Sequence, residues 1–218
     1  MKIGIVGGTG REGRGLGVRW AKAGHDVFIG SRQAEKGLAK AAEFSEEFGV
    51  ALQGGDNVAA CTHAELVIVT VPYSAHRSTF ESIKEAVGDK VIVDITVPIQ
   101  PPKVRSVNLP EGQSAALEAR ALLHEGTRLV AALHHISSEH LSDPAHTFDC
   151  DVLVCGDDKE ARAAVIAVIS DLGLRGIDAG VLKNAIALES LTPVLLHINR
   201  RYDSVGSGIR ITGIPETE

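Results

Sequence analysis

The chain's sharpest chemical signal is the run Gly8-Thr9-Gly10-Arg11-Glu12-Gly13, which follows the apolar stretch Ile3-Gly4-Ile5-Val6 at once and opens a helical pattern. Glycines at the first, third and sixth places of such a loop have separate jobs. Gly8 permits a tight turn out of the strand, Gly10 lets backbone approach a pyrophosphate, and Gly13 lets the helix settle on the strand. The unpaired N–H groups at the helix N-terminus then face a doubly negative group. A plain strand-turn-helix connection would use the same glycines, so the context after the next strand matters.

That strand leads into Gly30-Ser31-Arg32-Gln33-Ala34-Glu35-Lys36. A site for NAD usually ends this strand on an acid that takes the ribose 2′-hydroxyl. No acid stands at the strand end here. A 2′-phosphate would find the Ser31 hydroxyl, the planar Arg32 guanidinium, and Lys36 about one helical turn further on. NADP is therefore the expected cofactor, the plainer alternative being a solvated basic helix start. Thr70-Val71-Pro72-Tyr73 and Thr96-Val97-Pro98-Ile99 are also exits from apolar runs. Ligands in open α/β sheets sit outside such strand ends, so Val71, Pro72, Tyr73 and Ile99 are expected to flank the nicotinamide.

His134, His135, His140 and His146 raise the question of a metal. The segment reads as a strand end plus loop, where neighbouring histidines face opposite ways, and it lacks the i, i+4 pairing of a zinc helix. No metal is expected. Cys61, Cys150 and Cys155 are odd in number and unevenly spaced, which fits reduced thiols in the cytoplasm. Asp157 and Asp158 read as helix caps, on the positive end of a helix dipole. The chain has no G-x-S-x-G elbow and no paired carboxylates beside a histidine.

Positioning these residues requires alternating short strands and helices. Val- and Ile-rich runs at 2–6, 26–29, 66–71, 90–95, 128–134, 151–155 and 174–178 read as strands, with helical patterns at 13–23, 33–48 and 74–87. The strands are continuously apolar, as in a parallel sheet covered on both faces. A Rossmann-type, doubly wound α/β fold follows, with an NADP-binding domain over 1–150 and a smaller C-terminal α/β segment over 151–218. Residues 137–148 read as a loop. A last helix over 184–202 carries an apolar stripe wide enough to predict a homodimer. With 218 residues and 44% of them hydrophobic, the chain can bury a core. Its net charge of −6 gives no support to nucleic-acid or membrane-surface binding. No apolar run approaches the ~20 residues of a membrane span, and the N-terminus does not read as a signal peptide.

Beyond these readings the chain resembles the family of coenzyme F420-dependent NADP oxidoreductases over essentially its whole length. The resemblance is carried by Gly7-Gly8-Thr9-Gly10, by Gly24-His25 followed by Gly30-Ser31-Arg32, by Ser114-Ala115-Ala116 and by Ala132-Leu133-His134. It continues through Cys155-Gly156-Asp157-Asp158, Asp178-Ala179-Gly180 and Glu189-Ser190-Leu191-Thr192-Pro193. It implies reversible hydride transfer between NADP(H) and an 8-hydroxy-5-deazaflavin. By carry-over, Thr9, Ser31, Arg32 and Lys36 hold NADP phosphates. His134, Ile136 and Thr192 line the deazaflavin pocket, with Ser138 beside the cofactor and Ser207 beside the substrate. The chain departs from the family pattern at His135, Ser137-Ser138 and Ser207. Two alternatives stay open: an NADPH-dependent reductase of a flavin, ferric chelate or imine, and a non-catalytic NADP-binding sensor.

Overall fold

The computed structural model describes residues 1–214. Its elements are β1 (Lys2–Val6), α1 (Arg11–Lys22), β2 (Asp26–Ser31), α2 (Ala34–Phe48), β3 (Leu52–Asp56), α3 (Asn57–His63), β4 (Leu66–Val69), α4 (Tyr73–Val87) and β5 (Val91–Asp94). Then follow α5 (Ala115–Leu122), β6 (Arg128–Ala131), α6 (Ser138–Ser142), β7 (Asp151–Gly156), α7 (Lys159–Ser170), β8 (Arg175–Asp178) and α8 (Ala185–Tyr202). One eight-stranded sheet runs in the order β3-β2-β1-β4-β5-β6-β7-β8. Only the β6–β7 pairing is antiparallel. The doubly wound α/β architecture is thus present, and residues 151–218 supply β7 and β8 to the edge of the same sheet.

Strand order turns around at β1 and β4, where successive crossovers leave to opposite sides and open a crevice. The central strands explain themselves. Every residue of β4 and β5 is buried, which needs apolar cover on both faces. One face buries Ile3, Ile5, Leu16, Trp20, Ile29 and Ile169; the other buries Val67, Val69, Phe80, Ile83, Ile92 and Leu188.

The pattern reading missed β3 and α3. β3 is Leu-Gln-Gly-Gly-Asp, with a single large apolar residue, and it survives as an edge strand because helix and strand meet backbone to backbone. A Cβ on Gly37 of α2 would lie 1.9 Å from the Gly55 carbonyl oxygen of β3. It missed α5 as well, whose start is capped by the Ser114 hydroxyl accepting the Leu117 N–H at 3.1 Å. The strand expected to reach residue 134 stops at Ala131, and the chain turns there with Leu133 at φ +64°.

Residues 137–148, expected as loop, contain the short helix α6, and a buried arginine holds it. The Arg19 guanidinium of α1 donates to the carbonyls of His140 and Leu141 (both 3.1 Å), of His146 (3.1 Å) and of Asp143, while the Phe148 ring lies 4.7 Å from it. The C-terminal residues are tied down similarly. Arg175 grips Asp151 with two 2.7 Å bonds, and Asp151 in turn accepts the Ile211 N–H at 2.6 Å. In α8, Ala185, Leu188 and Leu195 are buried within the chain itself, leaving Val194 46% exposed. No helix among the described residues is long and apolar enough to cross a membrane.

Candidate functional site

The carboxyl ends of the central strands open into one cleft of about 820 Å³. One wall is the start of α1, with Gly10, Arg11 and Glu12, and another is the β4 exit, with Thr70, Val71, Pro72 and Tyr73. Ile95, Thr96, Val97 and Ile99 follow from the β5 exit. The far side is built from His134–Glu139, from Thr192, Leu195, Leu196 and Asn199 of α8, and from residues 204–207. Twelve residues singled out in the sequence line this single space: Gly10, Arg11, Glu12, Val71, Pro72, Tyr73, Ile99, His134, Ile136, Ser138, Thr192 and Ser207.

The glycine loop differs in one detail from its sequence reading. Gly7, not Gly8, takes the left-handed turn, at φ +73°. Gly8 donates its N–H to the Ile5 and Gly30 carbonyls (3.2 and 2.9 Å), and glycine is required there because a Cβ would lie 2.9 Å from Ile5 O. A Cβ on Gly13 would lie 2.5 Å from Gly8 Cα, so the first turn of α1 seats directly on the loop, while Gly17 one turn on faces Ile5 and Ile29 of the strands. A Cβ on Gly10 would meet nothing nearer than Gly7 O at 4.0 Å. The loop therefore leaves open room over the α1 N-terminus, as a pyrophosphate needs. Asn57, unforeseen in the sequence, is buried and accepts the Gly7 N–H on its Oδ1 at 3.1 Å.

Ser31, Arg32 and Lys36 lie outside the cleft lining, at the end of β2 and the start of α2. Ser31 is buried, with its hydroxyl oxygen accepting the Gln33 N–H at 3.4 Å. Arg32 and Lys36 are exposed and have no hydrogen bond or ion pair among the described residues. Thr9 is half-buried on the loop.

Arg11 and Glu139 form an exposed ion pair in the cleft lining, while burial acts on the other titratable groups. Burial pushes the Glu12 carboxyl up to about 7. Tyr73 donates its hydroxyl to Glu118 Oε2 at 2.9 Å, and burial, reinforced by that carboxylate, lifts its phenol to about 12. His134 is buried, its ring close to the backbone and carboxylate of Asp94. Burial drives its pKa down to about 4 against the opposing pull of Asp94, so the ring is neutral near pH 7. The turn presenting it is fixed by the Thr192 hydroxyl, which donates to His134 O at 2.6 Å. His135 is buried too, its Nε2 lying 2.9 Å from Asp151 O, while His140 and His146 stack at 3.9 Å. Among the described residues no cluster of three or more His, Cys, Asp or Glu could hold a metal ion.

Behind the cleft stands a buried polar layer that the pattern reading did not anticipate. His76 Nε2 lies 2.7 Å from Asp94 Oδ2, both side chains essentially without solvent contact. Glu189 of α8 accepts the Ala115 and Ala116 N–H groups at 2.7 and 3.0 Å, across the N-terminus of α5. Burial raises its carboxyl to about 8, although those two donors pull the other way. In the sequence Glu189 is an acid within the mostly apolar first half of α8, and it lies, like Ser114–Ala116, in a family-like segment, though the resemblance assigns no role to these residues.

Residues 2–98 match the family model described as NADP oxidoreductase coenzyme F420-dependent. The F420-dependent NADP reductase of Methanothermobacter thermautotrophicus is 42% identical, over all of this chain and 97% of its own. That of Methanocaldococcus jannaschii is 36% identical, over 98% and 99%. A solved structure from Arthrobacter, described as a candidate F420-dependent NADP reductase, superposes with a TM-score of 0.84 at 24% identity and covers 98% of this chain and all of its own. The chain belongs to the family of F420-dependent NADP reductases.

Proposed function

We propose that this cleft exchanges a hydride between NADP(H) and coenzyme F420, with the dinucleotide along the β1, β2, β4 and β5 ends and the deazaflavin against the His134 turn and α8. The observation that carries the reading is that one cavity joins the glycine loop to the α8 wall, so two flat rings share one space. Its volume lies toward the upper end of the roughly 300–1,000 Å³ usual for ligand pockets. The chemistry is transfer of a hydride from the dihydronicotinamide to ring carbon 5 of the deazaflavin, with a proton going to a ring nitrogen, and the reverse. The protein's part is alignment and exclusion of water. The α1 N-terminus and Gly10 face the pyrophosphate, and Val71, Pro72 and Tyr73 back the nicotinamide. A Glu12 that titrates near 7 limits repulsion of that pyrophosphate. In this reading 1–150 binds the dinucleotide and 151–218 completes the deazaflavin pocket. Incubation with NADPH and oxidised F420, beside FMN and FAD, should bleach F420 fastest; no bleaching of F420 would refute the assignment.

Ser31, Arg32 and Lys36 take the 2′-phosphate in this reading, because an exposed guanidinium without a partner is ready to pair. Arg32→Asp both removes that pair and adds a repulsive charge, so NADPH binding should weaken by about 2–4 kcal/mol. The Michaelis constant for NADH should change far less. Equal changes for both cofactors would place the phosphate elsewhere.

His134 is read as a neutral hydrogen-bonding partner of the deazaflavin ring, since it lines the cleft as a buried, uncharged imidazole. It is not read as an obligatory proton donor. With its pKa lowered to about 4 the ring is not an imidazolium in neutral solution, so it lacks the acidic proton of a general acid. His134→Ala should lower turnover about tenfold or less, against the roughly 10²–10⁴ of a general acid. The pH profile of turnover should keep its shape; loss of a limb with a fall of three or more decades, roughly the upper part of that range, would make His134 an acid–base catalyst.

The apolar stripe of α8 that the chain leaves exposed at Ala187 and Val194 and half-buried at Leu191 and Ile198 is read as the contact with a second copy of the chain. Light scattering should give twice the chain mass at micromolar concentration, and a monomer would remove the idea. Three free cysteines fit the reducing cytoplasm, a placement that recovery from a secreted fraction would contradict.

A further inference from the structure

Thirteen arginines stand in the sequence of a protein whose net charge is −6. Nine of them hold a carboxylate or a backbone carbonyl. Among the described residues the other four, Arg32, Arg105, Arg200 and Arg201, have neither. Arg32 lies at the end of β2. The other three meet with His197 around a second, open pocket of about 420 Å³. Arg201 has a ring for company, its guanidinium lying 5.7 Å from the Tyr202 ring centroid.

α8 and the segment after β5 each contribute to both this pocket and the main cleft. α8 turns Leu195, Leu196 and Asn199 toward the cleft and His197, Arg200 and Arg201 toward the pocket. Arg105 arrives from the segment that, a few residues earlier, puts Ile99 and Pro101 into the cleft wall. Like charges are costly to gather unless an anion neutralises them, and unpaired guanidiniums suit phosphodiesters and carboxylates.

We propose that Arg105, His197, Arg200 and Arg201 form a subsite for the anionic tail of the deazaflavin coenzyme, its phosphodiester and glutamyl carboxylates. This rests on the functional reading above, in which the ring lies against α8. The subsite is separate from the 2′-phosphate residues, which stand at the end of β2 on the other side of the central crevice. It recognises the tail and leaves the hydride-transfer geometry to the cleft.

The test compares coenzyme F420 with the tail-less 8-hydroxy-5-deazaflavin riboside as acceptors, NADPH being the donor. In the wild-type chain the KM for F420 should rise with ionic strength while that for the riboside stays flat, because exposed ion pairs are screened by salt. The double variant Arg105→Ala/Arg200→Ala should raise the KM for F420 about tenfold, with kcat, the riboside KM and the NADPH KM each within about twofold. The salt dependence for F420 should shrink with it, and Arg105→Lys/Arg200→Lys should restore most of both. Equal losses for F420 and the riboside would make these arginines structural and overturn the proposal. So would an unchanged KM for F420, or a rise confined to NADPH, which would assign the anion to the dinucleotide. A wild-type chain that reduces neither deazaflavin would refute the functional reading itself, and the subsite with it.

Discussion

Everything at the site depends on how closely the first helix can approach the end of the first strand. Gly13 stands so near Gly8 that any Cβ would lie 2.5 Å from its Cα. That closeness brings the α1 N-terminus over the carboxyl edge of the sheet, where its unpaired N–H groups can act on a ligand. Gly8 is held by carbonyls from β1 and β2, and Gly7 by Asn57, so the loop is braced from three elements before any ligand arrives. Bracing of this kind reduces the ordering that binding would otherwise demand.

The opposite wall is assembled from distant stretches of chain, and buried guanidiniums and carboxylates hold it. Arg19 gathers four carbonyls of residues 140–146 onto α1, which fixes the segment carrying Ser137, Ser138 and Glu139 into the cleft. Asp151 and Arg175 anchor the C-terminal residues, and the Asn199 side chain accepts the Ser207 N–H at 2.9 Å. These are polar bonds inside a protein, where a lost partner leaves a stranded group, so such links specify position more sharply than apolar packing does.

Between the two walls Arg11 and Glu139 pair with each other, and burial acts on the other titratable groups. Burial raises the Glu12 and Glu189 carboxyls and lowers His134, each toward its neutral form, and lifts the phenol of Tyr73, which is neutral near pH 7 in any case. Transfer of a hydride between two aligned rings asks for this kind of environment, in which fixed dipoles and shape orient the partners and no side chain competes as a nucleophile. The arginines that hold no carboxylate or carbonyl among the described residues lie at the periphery, Arg32 on one side and Arg105, Arg200 and Arg201 on the other.

The amino-acid sequence alone determined whatever follows from local pattern. Continuous apolar runs meant a covered parallel sheet, three spaced glycines meant a close strand-to-helix turn, and the missing acid after β2 meant a 2′-phosphate rather than a hydroxyl. The family-like segments extended this to the His134 turn and to Thr192. Tertiary structure alone decided the rest. β3 is invisible to hydrophobic periodicity because Gly54 and Gly55 pack by their backbone against Gly37 of α2. α6 is one and a half turns of Ser-Glu-His-Leu-Ser, too short to form unaided, and it exists because Arg19 supplies donors from far along the chain. Asp94, His76 and Glu189 carry no spacing signal, since their meaning comes from neighbours brought together across the sheet. Local periodicity records which face a residue turns inward; which buried polar group meets which donor is settled only when separate elements close on one another.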